Sequence, residues 1–153
     1  MIFNWLQFSL ENKIILDLFA GTGNLGFEAL SRSAKQATFI DKSRAAAKII
    51  AKNAILLNLQ DQVEIIHSDV FRAIRSLAER QRYFDLIFAD PPYEDFLSNK
   101  ILAEIASHNI LKNGSIIILE HQKHDMPEEE INTLTLARQK TVGDTCISFY
   151  EKR

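Results

Sequence analysis

Ile14-Ile15-Leu16-Asp17-Leu18-Phe19-Ala20-Gly21-Thr22-Gly23-Asn24-Leu25-Gly26 decides how this chain folds. Its first six residues are apolar except Asp17, without the strict alternation of a half-solvated strand, so they read as a strand buried on both faces. Three glycines at the spacing G-x-G-x-x-G then turn the chain into a segment of helical period that runs to about Ser31. A buried strand, a tight glycine turn and a helix make the opening unit of a parallel α/β sheet.

Outward from that unit the alternation continues. Strands are expected at Ala37-Thr38-Phe39-Ile40-Asp41, at Val63-Glu64-Ile65-Ile66, from Phe84 to Ala89 and from Ser115 to Leu119. Between them the spacing predicts helices from Arg44 to about Leu57, over residues 70–80 and from about Phe96 to Ser107. Ser43 is placed to cap the first of these, with Ala46, Ile49, Ile50 and Leu57 on its buried stripe; Phe71, Ile74 and Leu77 face inward on the second. Lys112-Asn113-Gly114 reads as a turn. After Glu120 the pattern changes: residues 131–138 alternate apolar and polar, and Ser148-Phe149-Tyr150 belongs to a further strand, which reads as a terminal antiparallel hairpin. The expected fold is a doubly wound, mostly parallel α/β sheet with a C-terminal antiparallel hairpin, in one domain spanning residues 1–153.

Composition narrows the partners. The chain of 153 residues is 46% hydrophobic and 25% charged, with a net charge of −2, so no overall basic field advertises nucleic acid. The single cysteine, Cys146, excludes an internal disulfide framework, suits a reducing cytoplasm and sits in an apolar run expected to be a buried strand. No apolar run approaches the ~20 residues of a membrane span, and no signal peptide is recognisable. Ile2, Phe3, Trp5, Leu6 and Leu10 make an apolar helical face that begins at Met1 without a capping residue. A longer form with more sequence before Met1 is the expectation.

Leu86-Ile87-Phe88-Ala89 ends in Asp90-Pro91-Pro92-Tyr93. Two consecutive prolines cannot donate to a sheet ladder, so the strand stops there and the backbone turns stiffly away. A carboxylate, free carbonyls and an aromatic face are thereby held at a strand's C-terminal edge, where open α/β sheets bind ligands. A planar group bearing an NH2 suits such a site, its N–H donors meeting Asp90 and a proline carbonyl while its ring stacks on Tyr93. A nucleobase amine fits that description; a plain strand-to-helix turn is the alternative.

The glycine loop admits two cofactors. With Asp41 at the end of the next strand, it matches a dinucleotide fingerprint. Asp17, four residues before the first glycine, opposes that reading, because a carboxylate repels the pyrophosphate that such a loop receives. S-adenosyl-L-methionine carries no phosphate, and its ammonium and sulfonium give Asp17 a cation to meet. Asp41 can accept both ribose hydroxyls, or cap a helix. Asp69 can accept from the adenine amine beside Val70 or Phe71, or cap the helix that follows. Asp17, Asp41, Asp69 and Asp90 each end one of the first four strands.

These stretches together with Glu28-Ala29-Leu30-Ser31-Arg32, Asp41-Lys42, Phe3-Asn4-Trp5-Leu6 and Gly143-Asp144-Thr145 resemble the class I methyltransferases, and within them the bacterial RsmD-like family, over nearly the whole chain. The resemblance implies transfer of a methyl group from S-adenosylmethionine to N2 of a guanine in 16S ribosomal RNA, within a small-subunit particle. It implies Asp90, Pro91, Pro92 and Tyr93 as the catalytic set. Cofactor contacts would come from Asp17, Phe19, Ala20, Gly21, Thr22, Gly23, Asp41, Lys42, Asp69, Val70 and Asp90. A cytoplasmic monomer that needs no metal is expected. Asp-Pro-Pro-Tyr is shared with DNA adenine and cytosine amino-methyltransferases, so it indicates amine methylation and leaves the base open. Family members carry an N-terminal stretch with a basic Arg-Pro-Thr element that is absent here, so a weakened enzyme or a non-catalytic binding remnant stands as an alternative.

The remaining polar residues have plainer readings. His67, His108, His121 and His124 read as solvated loop residues, Glu128-Glu129-Glu130 as a solvated turn, and Trp5 as packing or a lid. Lys35, Arg72, Arg75, Arg80, Arg82, Lys123, Arg138 and Lys140 are available to RNA if they share a face.

Overall fold

A computed structural model describes residues 2–153; Met1, the start of the expected N-terminal face, lies outside the described residues. Eight strands form one sheet: β1 (Ile14–Leu18), β2 (Gln36–Asp41), β3 (Val63–His67), β4 (Phe84–Ala89), β5 (Leu111–Gln122), β6 (Glu130–Ile131), β7 (Leu134–Val142) and β8 (Thr145–Lys152). Their order is β3-β2-β1-β4-β5-β8-β7-β6. The first five pair in parallel and the last three are antiparallel, as the sequence predicts. Helices α1 (Asn24–Ser31) and α2 (Arg44–Leu56) cover one face with the N-terminal turn Ile2–Trp5, and α3 (Val70–Glu79) and α4 (Leu97–Ser107) cover the other. Chain order reverses between β1 and β4, which opens a crevice above their C-terminal ends.

Local chemistry fixes these elements. Ser43 Oγ accepts from Ala46 N–H at 3.2 Å and caps α2. Asp69 Oδ2 accepts from Arg72 N–H at 3.0 Å and caps α3. Gly23 precedes α1 at φ +83°, a conformation that a side chain would strain. Gly26 is needed for close approach: a Cβ there would lie 2.3 Å from the Phe39 ring of β2. Gly26→Ala is therefore expected to cost ~1–3 kcal/mol through overpacking. That lowers the thermal midpoint by roughly 3–10 °C, and an unchanged midpoint in calorimetry would mean that Phe39 swings aside freely.

Several expectations need correction. The α2 stripe is narrower than predicted: Ile50 and Ala54 are buried, whereas Ile49 and Leu57 are 45% and 54% exposed because α2 packs only over β2 and β3 at the sheet's margin. Edge strand β3 is half-buried, unlike β1, whose burial on both faces matches the sequence. The N-terminal face forms only a four-residue turn, although Ile2, Phe3 and Leu10 are buried. Lys112-Asn113-Gly114 is an irregularity inside β5: Phe84 pairs with Leu111 and Leu86 with Ile116, and Ser115 Oγ donates to Phe84 O at 2.9 Å. The alternating stretch 131–138 is split by a turn at Asn132-Thr133. His121 is no solvated loop residue; it is 3% exposed within β5, its Nε2 2.7 Å from Ser148 Oγ. Cys146 is buried in β8, as expected.

A second irregularity redirects charge. Tyr150 pairs with Leu136, yet Phe149 pairs with Arg138, so Ala137 is an extra residue in β7. Because side chains alternate across a strand, one inserted residue moves everything beyond it to the other face. Arg138 and Lys140 consequently join Phe149, Ile147 and the N-terminal turn. The Arg138 guanidinium stands 4.5 Å over the Phe149 ring and donates to Trp5 O, and Lys140 Nζ is 4.8 Å from the Trp5 ring centroid.

Candidate active site

The rim above β1, β2, β3 and β4 carries the four acids. Asp17 lies inside β1 with its side chain on the α1 face, only 2% exposed, and its Oδ2 accepts from Gly26 N–H at 3.1 Å. Burial pushes its carboxyl up to about 8; the Gly26 N–H opposes that rise, while the charges of Asp90 and Asp41 add to it. Asp41 ends β2 and stabilises the glycine loop, Oδ2 accepting from Gly21 N–H at 2.9 Å and Oδ1 from Ser43 N–H at 2.8 Å. It is not itself the cap of α2; Ser43 is.

Asp41 and Asp69 face a common cleft of about 300 Å³ whose other walls include Phe19, Lys42, Val70, Phe71, Pro92 and Leu97. Apolar walls with carboxylates at one rim suit a flat heterocycle joined to a diol. Phe19 enters this cleft at φ +58°, a costly conformation for a bulky residue and the kind of strain that gathers at ligand sites. Ala20, Thr22 and Gly23 form the loop between β1 and α1; Ala20 N–H donates to Ile40 O at 3.0 Å, and Gly23 N–H to Ala20 O at 2.8 Å. Thr22 O accepts from Asn53 Nδ2 at 3.3 Å.

Asp90 follows β4 directly. It is open to solvent on one side, and partial burial raises its carboxyl above the usual carboxylate range. Pro91 is buried, Pro92 reaches the 300 Å³ cleft, and Tyr93 is 71% exposed, its ring free to stack. Phe96, at φ +62° and 72% exposed, adds a second bare aromatic before α4.

One acid escaped the sequence reading. Glu120, on β5, is half-buried, and burial followed by the charge of Asp90 raises its carboxyl. It lines a larger cleft of about 610 Å³ between the N-terminal turn, α1 and β8, with Phe3, Asn24, Arg32 and Ile147. The available signal was its position: an acid directly after the expected strand Ser115 to Leu119, as acids stand at or just beyond the ends of the first four. The basic residues divide. Arg82 pairs with Glu64 at 3.0 Å and Arg75 with Glu104 at 2.8 Å, whereas Arg138 and Lys140 lie on the face of the larger cleft. Among the described residues no group of three or more His, Cys, Asp or Glu is placed to hold a metal ion, and no helix is long and apolar enough to cross a membrane.

A 3-2-1-4-5 parallel sheet, extended by antiparallel strands and carrying acids above its switch point, is the architecture of the class I methyltransferases. SMU.776, solved in complex with SAH, shares it at a TM-score of 0.77 and 16% identity, over 94% of this chain and 46% of that one. The chain belongs to the family described as conserved hypothetical protein 95, whose model matches residues 1–151. It is 34% identical over 151 residues to the ribosomal RNA small subunit methyltransferase D of Haemophilus influenzae, covering 98% of this chain and 77% of that protein. A conserved hypothetical protein of Streptococcus pyogenes has a solved structure with a TM-score of 0.89 and 31% identity, covering 99% and 93% of the two chains.

Proposed function

We propose that this protein methylates ribosomal RNA of the small subunit from S-adenosylmethionine, at the exocyclic N2 amine of a guanine, in the cytoplasm and within a small-subunit particle. The observation that carries this reading is the position of Asp90-Pro91-Pro92-Tyr93 at the switch point. Pro92 borders the 300 Å³ cleft on one side, and Asp90 adjoins Glu120 of the 610 Å³ cleft on the other. One cleft suits a methyl donor and the other a base turned out of its stack. Asp17 supports S-adenosylmethionine over NAD, since a carboxylate behind the glycine loop favours a cation. The relatives' rRNA methyltransferase names favour RNA over the DNA amino-methyltransferase alternative.

The residues fit the cofactor. Asp41 would meet the ribose hydroxyls, Asp69 the adenine amine with its free Oδ1, and Val70, Phe71 and Leu97 the ring; Gly21 and Gly23 admit the methionyl part past the loop. Bound there, S-adenosylmethionine supplies an electrophilic methyl carbon, and its transfer to an amine leaves S-adenosylhomocysteine and one proton. Asp90 and the Pro91 carbonyl accept the N–H bonds of the target amine, hold its nitrogen tetrahedral and free a lone pair otherwise delocalised into the ring. Tyr93 stacks on the base. The proton departs after the new bond forms, so Asp90 need not be a strong base. Orientation alone is worth ~7–11 kcal/mol in well-aligned reactions. Arg138 and Lys140 provide positive charge on the face of the larger cleft, where Arg32 is paired with Glu28 at 2.9 Å, and so supply locally the attraction for phosphate that a net charge of −2 does not.

The test is transfer of radiolabelled methyl to undermethylated small subunits, and to the bare RNA, followed by nucleoside analysis. N2-methylguanosine is the expected product, formed faster on the particle. Label in another nucleoside overturns the choice of base, and binding of S-adenosylmethionine without transfer would make the protein a non-catalytic remnant.

A further inference from the structure

Asp-Pro-Pro-Tyr holds an amine without choosing the base, so a guanine-specific enzyme needs a second group beside it. The sheet register supplies one. Ala89 and Leu119 are the last residues that β4 and β5 pair with each other, so the next residues, Asp90 and Glu120, stand side by side. Phe88 and Ile118, two residues earlier, belong to the core on the α1 face, and alternation returns Asp90 and Glu120 to that face. Glu120 lines the 610 Å³ cleft and lies near enough to Asp90 for the Asp90 charge to act on its carboxyl. It takes no part in the ion pairs among the described residues.

Two acceptors side by side discriminate among bases. The Watson–Crick edge of guanine presents adjacent donors, N1–H and the N2 amine. Adenine and cytosine each place a bare ring-nitrogen acceptor beside their amine, and that nitrogen would face the lone pairs of a carboxylate. Resting on the guanine-N2 reading above, we propose that Glu120 is a specificity-determining residue of this site: its carboxylate accepts N1–H of the target guanine while Asp90 holds the N2 amine. The base then lies against Asp90 and Glu120, at the edge of the larger cleft.

The experiment compares two RNAs, one with the guanosine that the wild-type protein modifies and one with 2-aminopurine riboside in its place. 2-Aminopurine keeps the amine but offers a bare N1 acceptor. The wild-type protein is expected to favour guanine, and Glu120→Gln, whose amide can donate to a bare N1, to shift the guanine-to-2-aminopurine ratio of kcat/KM by about 10- to 100-fold toward 2-aminopurine. The ratio is internal to each protein, so it does not depend on how much of the variant folds. Should the variant be too slow to assay, equilibrium binding of the two RNAs by filter retention reads the same ratio without turnover. Equal ratios in the two proteins overturn the role of Glu120. A wild-type protein that leaves guanine unmethylated overturns the guanine reading itself, which is a different result.

Discussion

Asp90→Ala lowers methyl transfer by about a hundred- to a thousandfold or more, while affinity for S-adenosylmethionine changes little. The asymmetry follows from position. Asp90 stands past the end of β4, on the side of Glu120 and the larger cleft, whereas the residues assigned to the adenosine part lie on the other side of Pro92. Removing the carboxylate takes away a charge-assisted acceptor worth ~1.5–3 kcal/mol together with the alignment of the amine. Each ~1.4 kcal/mol is tenfold in rate. Asp90→Asn keeps one acceptor oxygen at similar volume and should fall between the two. Acid should slow the wild-type enzyme earlier than an exposed aspartate would dictate, because partial burial raises the Asp90 carboxyl and a protonated carboxyl has lost accepting capacity. The checks are single-turnover transfer for the rate and calorimetry for cofactor affinity. Wild-type rates in Asp90→Ala would remove Asp90 from the mechanism; equally weakened binding and turnover would make it a cofactor residue.

The parts of this molecule legible in the sequence are those governed by local chemistry. Strands β1 and β4 announce themselves because both faces are buried and nearly every residue is apolar. Ser43 and Asp69 announce helix starts because capping needs only a short-range hydrogen bond. The rim acids were legible because a parallel strand's C-terminal end can be counted along the chain. What stayed hidden depends on register between strands remote in sequence. Ala137 looks like any small residue in an alternating strand, yet as a bulge it carries Arg138 and Lys140 across the sheet, a displacement visible only from the pairing with β8. Glu120 reads as the residue after a strand until the β4–β5 register sets it beside Asp90. Helix α2 shows the converse error. Its apolar stripe is real in the sequence, but a helix at the margin of a sheet has too little surface beneath it to bury Ile49 and Leu57.

Asp17→Asn separates the ligand-free protein's stability from its grip on the cofactor. With its carboxyl at about 8, Asp17 is mostly protonated in the ligand-free protein at neutral pH. A bound sulfonium and ammonium favour the ionised form, so binding releases a proton wherever the pH lies between the bound and free values. Affinity for S-adenosylmethionine should therefore rise with pH by up to tenfold per unit and level off above about 8. The cofactor's own amine titrates alike against wild type and Asp17→Asn, so the difference between their profiles isolates Asp17. It should amount to about 10- to 100-fold between pH 6 and 8. Stability runs the other way. The folded carboxyl holds its proton more tightly than the unfolded one, at the ordinary 3.8, so its contribution is whole below that value and drains as pH climbs to about 8. The slope is ~1.4 kcal/mol per pH unit, or roughly 3–5 °C of thermal midpoint for a chain of this size. Without that titration, the ligand-free Asp17→Asn protein should lose less stability between pH 5 and 8 and bind the cofactor more weakly at pH 8. Calorimetry in two buffers of different ionisation enthalpy counts the net protons exchanged, and the difference between wild type and Asp17→Asn is the proton that Asp17 releases. Wild-type and variant curves that run parallel, with the same number of protons exchanged by both, would mean that Asp17 stays neutral under α1 and does no more than hold the Gly26 N–H.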